Sequence, residues 1–147
     1  MERTLVIVSC GKRKIWDVDP GHGPCQAKDA YVGPLFKWAR RYAEKFGDMW
    51  VILSAKYGFI TPDFIIPGNY NVTFKDKKTN PISVDELKEQ ICRMGLGDYD
   101  EVVVIGGKEY VEVCKRVFPP ERVRAPFSGL PLGKMISEIK RTVEMKQ

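Results

Sequence analysis

Short apolar runs alternate with longer amphipathic stretches along the chain. Three runs of β-branched and aliphatic side chains predict strands that are buried on both faces: residues 4–9, 49–54 and 101–105. Two stretches carry apolar and aromatic side chains at helical spacing: residues 27–46 and 109–118. Because proline favours the first position of a helix, Gly33-Pro34 predicts that the long helix of the first stretch begins there, after a shorter turn.

Residues typical of helix ends and loops divide the rest of the chain. Ser83 and Glu86 form a capping-box pattern, which predicts a helix through Met94 that is stopped by Gly95 or Gly97. The other expected elements are a Gly/Pro-rich loop, a short fourth strand and a last helix, at residues 17–24, 122–125 and 134–143.

This alternation predicts an α/β fold, a three-layer sandwich with a mainly parallel sheet, because parallel neighbours need helical crossovers that cover both faces. The chain has 147 residues, of which 44% are hydrophobic and 29% charged. That size and composition suit a single domain over residues 1–147 and exclude disorder or a scaffold held by disulfides alone. Ligands of such sheets bind beyond the carboxyl ends of the strands, so we expect the site there.

The charge balance is basic. The chain contains 24 Lys and Arg against 19 Asp and Glu, a net charge of +5, which permits a phosphate-bearing small molecule or a nucleic acid as partner. Its longest apolar run, at residues 5–8, is far shorter than the roughly 20 residues of a membrane span. No secretory signal pattern is present either. We therefore expect a cytoplasmic protein with no membrane partner.

The cysteines are widely spread in the sequence, at Cys10, Cys25, Cys92 and Cys114, and this predicts reduced thiols. A zinc site formed by Cys10, His22 and Cys25 is the alternative, because His-x-x-Cys spacing lets two ligands of one loop reach one ion. A fourth ligand and a C-x-x-C pair are both missing, so we expect no metal.

The turns after the three strands combine glycine with a lysine or a hydroxyl group. They are Ser9-Cys10-Gly11-Lys12, Ser54 to Gly58, and Gly106-Gly107-Lys108. Glycine lets backbone N–H groups approach an anion closely while an ammonium neutralises its charge, so these turns predict phosphate binding. Solvated βα turns of no special function have a similar composition, and that interpretation stays open. The Walker A and G-x-G-x-x-G patterns are absent, so neither ATP hydrolysis nor a dinucleotide cofactor is expected.

The second turn supplies a hydroxyl, a cation and a ring within five residues. A nucleobase could stack on Tyr57 while Lys56 meets a phosphate, and Tyr70 could close the pocket from the next loop. The alternative for Tyr57 is core packing with its hydroxyl bonded to the backbone.

Three segments carry a resemblance to a known family: residues 9–14 (S-C-G-K-R-K), 27–36 with Tyr31, and 53–62 (L-S-A-K-Y-G-F-I-T-P) with Tyr70. They resemble an uncharacterised prokaryotic and phage family with the patterns S-C-x-K-x-K, A-x-x-L-Y and L-S-A-K-Y-G-L-x-x-P. The resemblance covers nearly the whole chain and implies a small Rossmann-like protein. It brings no established activity.

The segment from Ser54 to Pro62 is more distantly similar to a stretch of the peroxide-stress YaaA proteins. It is also similar to a core domain of archaeal tRNA-guanine modification enzymes, which is itself akin to uracil-DNA glycosylases. These similarities imply a nucleic-acid or nucleobase setting. The chain lacks an acidic residue beside a matching histidine motif, so they do not imply base excision itself.

These observations favour an enzyme acting on a nucleotide, nucleoside or nucleobase, at or near an N-glycosidic bond. Asp29 is the candidate general base or oxocarbenium stabiliser, with helix capping as its alternative role. Cys10 is a candidate nucleophile if Lys12 or Lys14 acts as its basic partner, and Ser54 would orient the ligand. The candidate ligand-binding residues are Ser9, Gly11, Lys12, Lys14, Tyr31, Lys56, Tyr57, Gly58, Tyr70, Gly106 and Gly107.

A non-catalytic module that binds a nucleotide or nucleic acid is the alternative function. Salt dependence separates the two ligand classes, because binding that spans several phosphates weakens steeply as salt rises, whereas a mononucleotide pocket is less sensitive. A metal or thiol site at Cys10, His22 and Cys25 is the third possibility.

Overall fold

The computed structural model describes residues 2–145 and places seven strands and six helices there. The strands are β1 (Thr4–Ser9), β2 (Cys25–Gln26), β3 (Met49–Ser54), β4 (Gly58–Ile60), β5 (Ile65–Ile66), β6 (Glu101–Ile105) and β7 (Val123–Arg124). The helices are α1 (Ile15–Val18), α2 (Ala27–Ala30), α3 (Pro34–Phe46), α4 (Val84–Met94), α5 (Lys108–Val117) and α6 (Leu132–Met145). Three residues of the predicted domain, Met1, Lys146 and Gln147, lie outside the described residues.

Five strands form one sheet in the order β4-β3-β1-β6-β7. The central strand β1 pairs in parallel with β3 and with β6, so that Val6 lies opposite both Trp50 and Val103. Strand β7 is parallel to β6, and only β4 is antiparallel to its neighbour. The fold is therefore α/β with a mostly parallel sheet, and the carboxyl ends of β1, β3 and β6 meet at one edge.

Alternating side chains of β1 enter two different hydrophobic clusters. Val6 and Val8 pack in the cluster that also contains buried residues of α3 and α6, including Phe36. Leu5 and Ile7 pack in the cluster that contains buried residues of α4 and α5. All four β1 side chains are at most 1% exposed. This two-sided burial explains why β1 is continuously apolar in sequence.

The boundaries predicted from helix-end signals agree with the structure. Gly33 is the N-cap of α3 and Pro34 its first residue. The Ser83 hydroxyl accepts a hydrogen bond of 3.1 Å from the Glu86 amide at the start of α4. Gly95 ends that helix with a φ of +69°. These signals are local, so they can be read without knowledge of tertiary contacts.

Several short elements differ from the sequence prediction. Residues 17–24 were expected to form a loop with no helix before it, whereas α1 occupies Ile15–Val18 and buries Trp16. The indole of Trp16 donates a hydrogen bond of 2.8 Å to the backbone carbonyl of His22, which ties the following loop to α1. Strands β2 and β5 form a separate antiparallel pair of two residues each. Elements this short show no periodicity, so only the folded chain identifies them.

No helix within residues 2–145 combines the length and the apolar character needed to cross a bilayer. The cysteines Cys10, Cys25, Cys92 and Cys114 carry free thiols.

Candidate functional site

Two strand ends come into close contact at the carboxyl edge of the sheet. Ser9, the last residue of β1, is 7% exposed and lies against Gly106, which follows β6. A Cβ atom at position 106 would lie 2.5 Å from the Cβ of Ser9, a distance that side chains do not tolerate. Glycine is therefore required at position 106 by this contact. The backbone of the first turn can then run directly beside the third.

A cleft of about 300 Å³ opens beside this contact. Its walls come from the turn after β1, from the segment that follows β5 and from the first turn of α5. The lining residues are Cys10, Gly11, Lys12, Lys14, Tyr70, Asn71, Val72, Thr73, Lys75 and Tyr110. Three of these residues are lysines and none is acidic, but one of the lysines, Lys75, already pairs with the carboxylate of Glu109 at 3.8 Å. We call this site the lysine cleft; its electrostatic character favours an anion.

Lys14 is the most unusual residue of the lysine cleft, because it is only 8% exposed. Its Nζ lies 4.6 Å from the centre of the Tyr70 ring and donates a hydrogen bond of 3.4 Å to the carbonyl of Lys12. No carboxylate of residues 2–145 lies within 4.0 Å of this ammonium group. The ammonium instead contacts a ring face and one carbonyl, so an anion in the cleft would add a charge-assisted hydrogen bond.

The backbone holds Lys14 in this position from two sides. Its amide donates a hydrogen bond of 2.8 Å to the carboxylate of Asp17, the third residue of α1. Lys14 also forms an isolated antiparallel bridge with Tyr31. The ammonium group is therefore attached to a fixed backbone rather than to a free loop.

Three hydroxyl groups form a buried chain behind the lysine cleft. Tyr70 bonds to the hydroxyl of Tyr31 and, at 2.9 Å, to the hydroxyl of Ser54. The Ser54 oxygen accepts two backbone hydrogen bonds of 3.2 Å, from Lys56 and Tyr57. Because both of its lone pairs are then used, Ser54 donates its proton to Tyr70. Ser54 thus orients the ring that forms the cleft wall, although it is itself fully buried.

The thiol of Cys10 meets a second tyrosine inside the lysine cleft. The Cys10 sulfur lies 3.2 Å from the hydroxyl of Tyr110, and Phe74 packs edge-on against the Tyr110 ring with centroids 5.4 Å apart. Burial, together with the neighbouring Cys10, raises the pKa of Tyr110 above its ordinary value. Burial likewise raises the pKa of Tyr31 and Tyr70. All three phenols are therefore neutral at physiological pH, and Tyr110 can donate a hydrogen bond to the Cys10 sulfur.

The turn after β3 lies behind the lysine cleft rather than in its lining. Lys56 is exposed, with its Nζ 5.3 Å from the Tyr57 ring centre and 5.6 Å from that of Tyr70. Tyr57 is half-buried and packs edge-on against Tyr70. One part of its ring therefore packs in the protein, and the exposed part is accessible to a ligand. Gly58 has a φ of +77°, which favours glycine in this turn.

The third turn supports the first one from behind. Gly106 supplies the close contact with Ser9, and Gly107 is the N-cap of α5. Lys108 is exposed in the first turn of that helix. Neither glycine is among the residues that line the lysine cleft.

Asp29 lies in α2 and outside the lysine cleft. Its carboxylate is 58% exposed and pairs with Arg40 at 3.4 Å, in a separate depression also lined by Tyr31. Gln26 and Gly33 are the N-caps of α2 and α3, so the alternative role of Asp29 as a helix cap is wrong.

The alternative zinc site is not assembled. Within residues 2–145, no three His, Cys, Asp or Glu side chains are grouped closely enough to hold a metal ion. The Nδ1 atom of His22 instead contacts the carbonyl of Gly23 at 2.9 Å, and its ring lies edge-on to Trp16.

Sequence reasoning missed several residues of the site. Lys75, Asn71 and Thr73 line the lysine cleft, but their segment has no regular pattern. Tyr110 has the helical spacing of a core residue, and nothing in that spacing distinguishes it from one. Gln90 of α4 was also missed: its side chain accepts a hydrogen bond of 2.8 Å from the Phe59 amide and donates one of 2.9 Å to the Tyr57 carbonyl.

The similarity of this chain to known proteins covers all the elements that form the lysine cleft. No solved structure matches the chain. The chain is 42% identical to the uncharacterized protein YfjM of Bacillus subtilis (strain 168) over 146 residues, which cover 98% of this chain and 97% of that relative. Residues 5–141 match the model of a family described as a family of unknown function, DUF6884. The chain therefore belongs to the DUF6884 family.

Proposed function

We propose that this protein binds a phosphate-bearing ligand, a nucleotide or part of a nucleic acid, in the lysine cleft. The observation that carries the proposal is the buried ammonium of Lys14, which has no carboxylate partner among the described residues and faces a cleft with two further lysines. A phosphate would supply the missing negative charge and accept charge-assisted hydrogen bonds.

The residues around Lys14 can contact both the charged phosphate and the uncharged part of a phosphate ester. Lys12 and Lys75 approach from separate segments of the cleft wall, and the backbone of Gly11 lies between Lys12 and Cys10 in the lining. Tyr110 and Asn71 offer a neutral hydroxyl and an amide for the uncharged part of the ligand.

An enzymatic role at or near an N-glycosidic bond remains part of the proposal. Its support is the distant resemblance of the segment from Ser54 to Pro62 to proteins of nucleobase chemistry, together with a thiol and a neutral phenol in the cleft, at Cys10 and Tyr110. We also propose that the fold is Rossmann-like, a three-layer sandwich, on the basis of the two hydrophobic clusters. A non-catalytic binding module is the second candidate. The ion pair between Asp29 and Arg40 favours it, because this carboxylate, the candidate general base, already has a partner.

Calorimetry with adenosine monophosphate tests the binding proposal. Charge-assisted contacts of about 1.5–3 kcal/mol predict that Lys14→Met or Lys12→Ala weakens binding by about 10- to 100-fold. Lys88→Ala on α4 is the matched control, because Lys88 is an exposed lysine that does not line the lysine cleft, and it should change the affinity by less than about threefold. Equal losses in the Lys14 and Lys88 variants would reject the assignment to this cleft.

Product analysis separates the enzyme from the binding module. Incubation with nucleotides and oligonucleotides should release a free base if the reaction at the N-glycosidic bond is correct. Asp29→Asn should then lower kcat and leave Kd nearly unchanged, since a carboxylate that stabilises only the transition state does not tighten the ground state. Full activity in this variant would remove Asp29 from the catalytic residues. Nucleotide binding without any base release would favour the binding module.

A further inference from the structure

Helix α3 presents a concentrated positive charge outside the lysine cleft. Its cations are Lys37, Arg40, Arg41 and Lys45, and its single carboxylate is Glu44. Arg40 bonds to Glu44 at 3.4 Å and so neutralises that charge. The helix therefore carries a net excess of three positive charges within about 20 Å of length.

Three of the cations of this region surround one aromatic ring. The Arg41 guanidinium lies 4.7 Å from the ring centre of Trp38, and the ammonium groups of Lys37 and Lys140 each lie 5.6 Å from it. In the described part of the chain, none of the three has a carboxylate within 4.0 Å. Any two of them are at most about 11 Å apart, compared with a Debye length of about 10 Å at 0.1 M salt, so they repel each other. A polyanion would relieve this repulsion.

The same face of α3 borders a depression of about 410 Å³. Its lining residues are Lys28, Asp29, Tyr31, Phe36, Lys37, Arg40, Arg41 and Glu44. Arg40 pairs with both carboxylates of this lining, each at 3.4 Å, so four cations against two carboxylates leave the depression with a net charge of +2. Among the described residues, Lys28, Lys37 and Arg41 have no carboxylate within 4.0 Å.

Backbone contacts connect the segment that enters this basic face with the turn of the lysine cleft. Tyr31, which lines the depression, is bridged to Lys14, which lines the lysine cleft. The Val32 amide, just before α3, donates a hydrogen bond of 3.1 Å to the carbonyl of Arg13. The basic turn at residues 12–14 therefore lies next to the chain that enters α3.

We propose that the face formed by Lys28, Lys37, Arg41 and Lys140 binds the backbone of a single-stranded nucleic acid, one phosphate of which enters the lysine cleft. This inference rests on the proposed function and names its ligand class. A flexible single strand can follow a surface that turns from a helix into a cleft, whereas a duplex, with a persistence length of about 150 base pairs, resists such a turn.

Fluorescence anisotropy with a labelled oligothymidylate of about 12 nucleotides tests the proposal in the full chain. The variant Lys37→Gln/Arg41→Gln should bind roughly 10- to 30-fold more weakly at low salt and lose about 1.4 from the slope of log K against log salt. The matched control is Lys88→Gln/Lys115→Gln, which removes two exposed charges from α4 and α5 and should behave like the unmodified protein.

Two outcomes of these experiments distinguish a failure of this inference from a failure of the proposed function. If adenosine monophosphate binds and depends on Lys14, but both charge variants bind the oligonucleotide equally, the α3 surface is wrong and the lysine cleft stands. If the oligonucleotide depends on Lys37 and Arg41 while the mononucleotide does not bind, the cleft assignment is wrong and the α3 surface stands. Binding to phosphatidylserine vesicles but not to the oligonucleotide would overturn the choice of nucleic acid.

Discussion

At the scale of single residues, the carboxyl edge depends on very close contacts. Gly106 allows the turn after β6 to touch Ser9, and this contact brings the first turn beside α5, which carries Tyr110. The glycine pair at 106–107 was expected to bind an anion directly. In the structure, Gly106 packs against Ser9. A glycine needed for packing and a glycine needed for ligand binding look the same in the sequence.

Gly106→Ala should therefore destabilise the fold. The new Cβ would lie 2.5 Å from the Cβ of Ser9, and relieving such overpacking costs about 1–3 kcal/mol. Gly133→Ala is the control, because that position lies in α6 with no atom within 4 Å of an added Cβ, and it should be neutral or stabilising. Urea denaturation gives both free energies of unfolding. Equal stability of the two variants would contradict the close contact.

The buried tyrosines predict a loss of stability at high pH. Tyr31, Tyr70 and Tyr110 have a raised pKa in the folded chain, whereas the same groups ionise near pH 10 when unfolded. Above about pH 10 the unfolded chain releases protons that the folded chain retains, so the free energy of unfolding falls as pH rises. Each such tyrosine contributes a slope of about 1.4 kcal/mol per pH unit.

Urea denaturation between about pH 9 and pH 11 measures this dependence. In Tyr110→Phe the free energy of unfolding should fall less steeply with pH, because one ionisable phenol is missing. The variant should still fold below pH 9, because the aromatic ring remains. An unchanged slope in this variant would mean that Tyr110 ionises equally in both states.

At the scale of elements, α4 fixes the turn between β3 and β4. The Gln90 side chain bonds to the Tyr57 carbonyl and to the Phe59 amide, on either side of Gly58. That turn also supplies the two amides that bond to Ser54, whose hydroxyl in turn orients Tyr70. The wall of the lysine cleft therefore depends on a helix that does not line it.

Gln90→Ala should destabilise the protein by about 1–3 kcal/mol, because it leaves two partly buried backbone groups without partners. Glu89→Ala on the same helix removes an exposed side chain of similar size and should change the stability by less than about 0.5 kcal/mol. Thermal or urea unfolding compares the two variants. A Gln90 variant as stable as the Glu89 variant would show that the turn holds without this contact.

Sequence patterns predicted the long elements well and the site only in part. The run at residues 4–9 and the Gly33-Pro34 signal depend on the local chain, and the structure agrees with both. Strand β4 pairs with the adjacent strand β3 but has only three residues, too few to show a period. The role of Gln90 depends on contacts across about 30 residues, for which the sequence has no periodic signal. The sequence placed Lys14 among the candidate ligand-binding residues, but only the folded chain shows that Lys14 is buried.

At the scale of the whole molecule, the chain is basic and part of its positive charge lines the lysine cleft. The net charge is +5, and the cleft contains three lysines, of which only Lys75 pairs with a carboxylate among the described residues. Segments after β1, after β5 and in α5 meet to form this cleft, so the site exists only when the sheet is assembled. Such a field favours capture of anionic ligands and weakens with salt.

The decisive measurement is the structure of the protein in complex with adenosine monophosphate. We expect the phosphate to lie in the lysine cleft, within hydrogen-bond distance of the Lys14 ammonium and beside Lys12. A phosphate bound instead at Arg40 and Arg41, with the lysine cleft free of ligand, would contradict it.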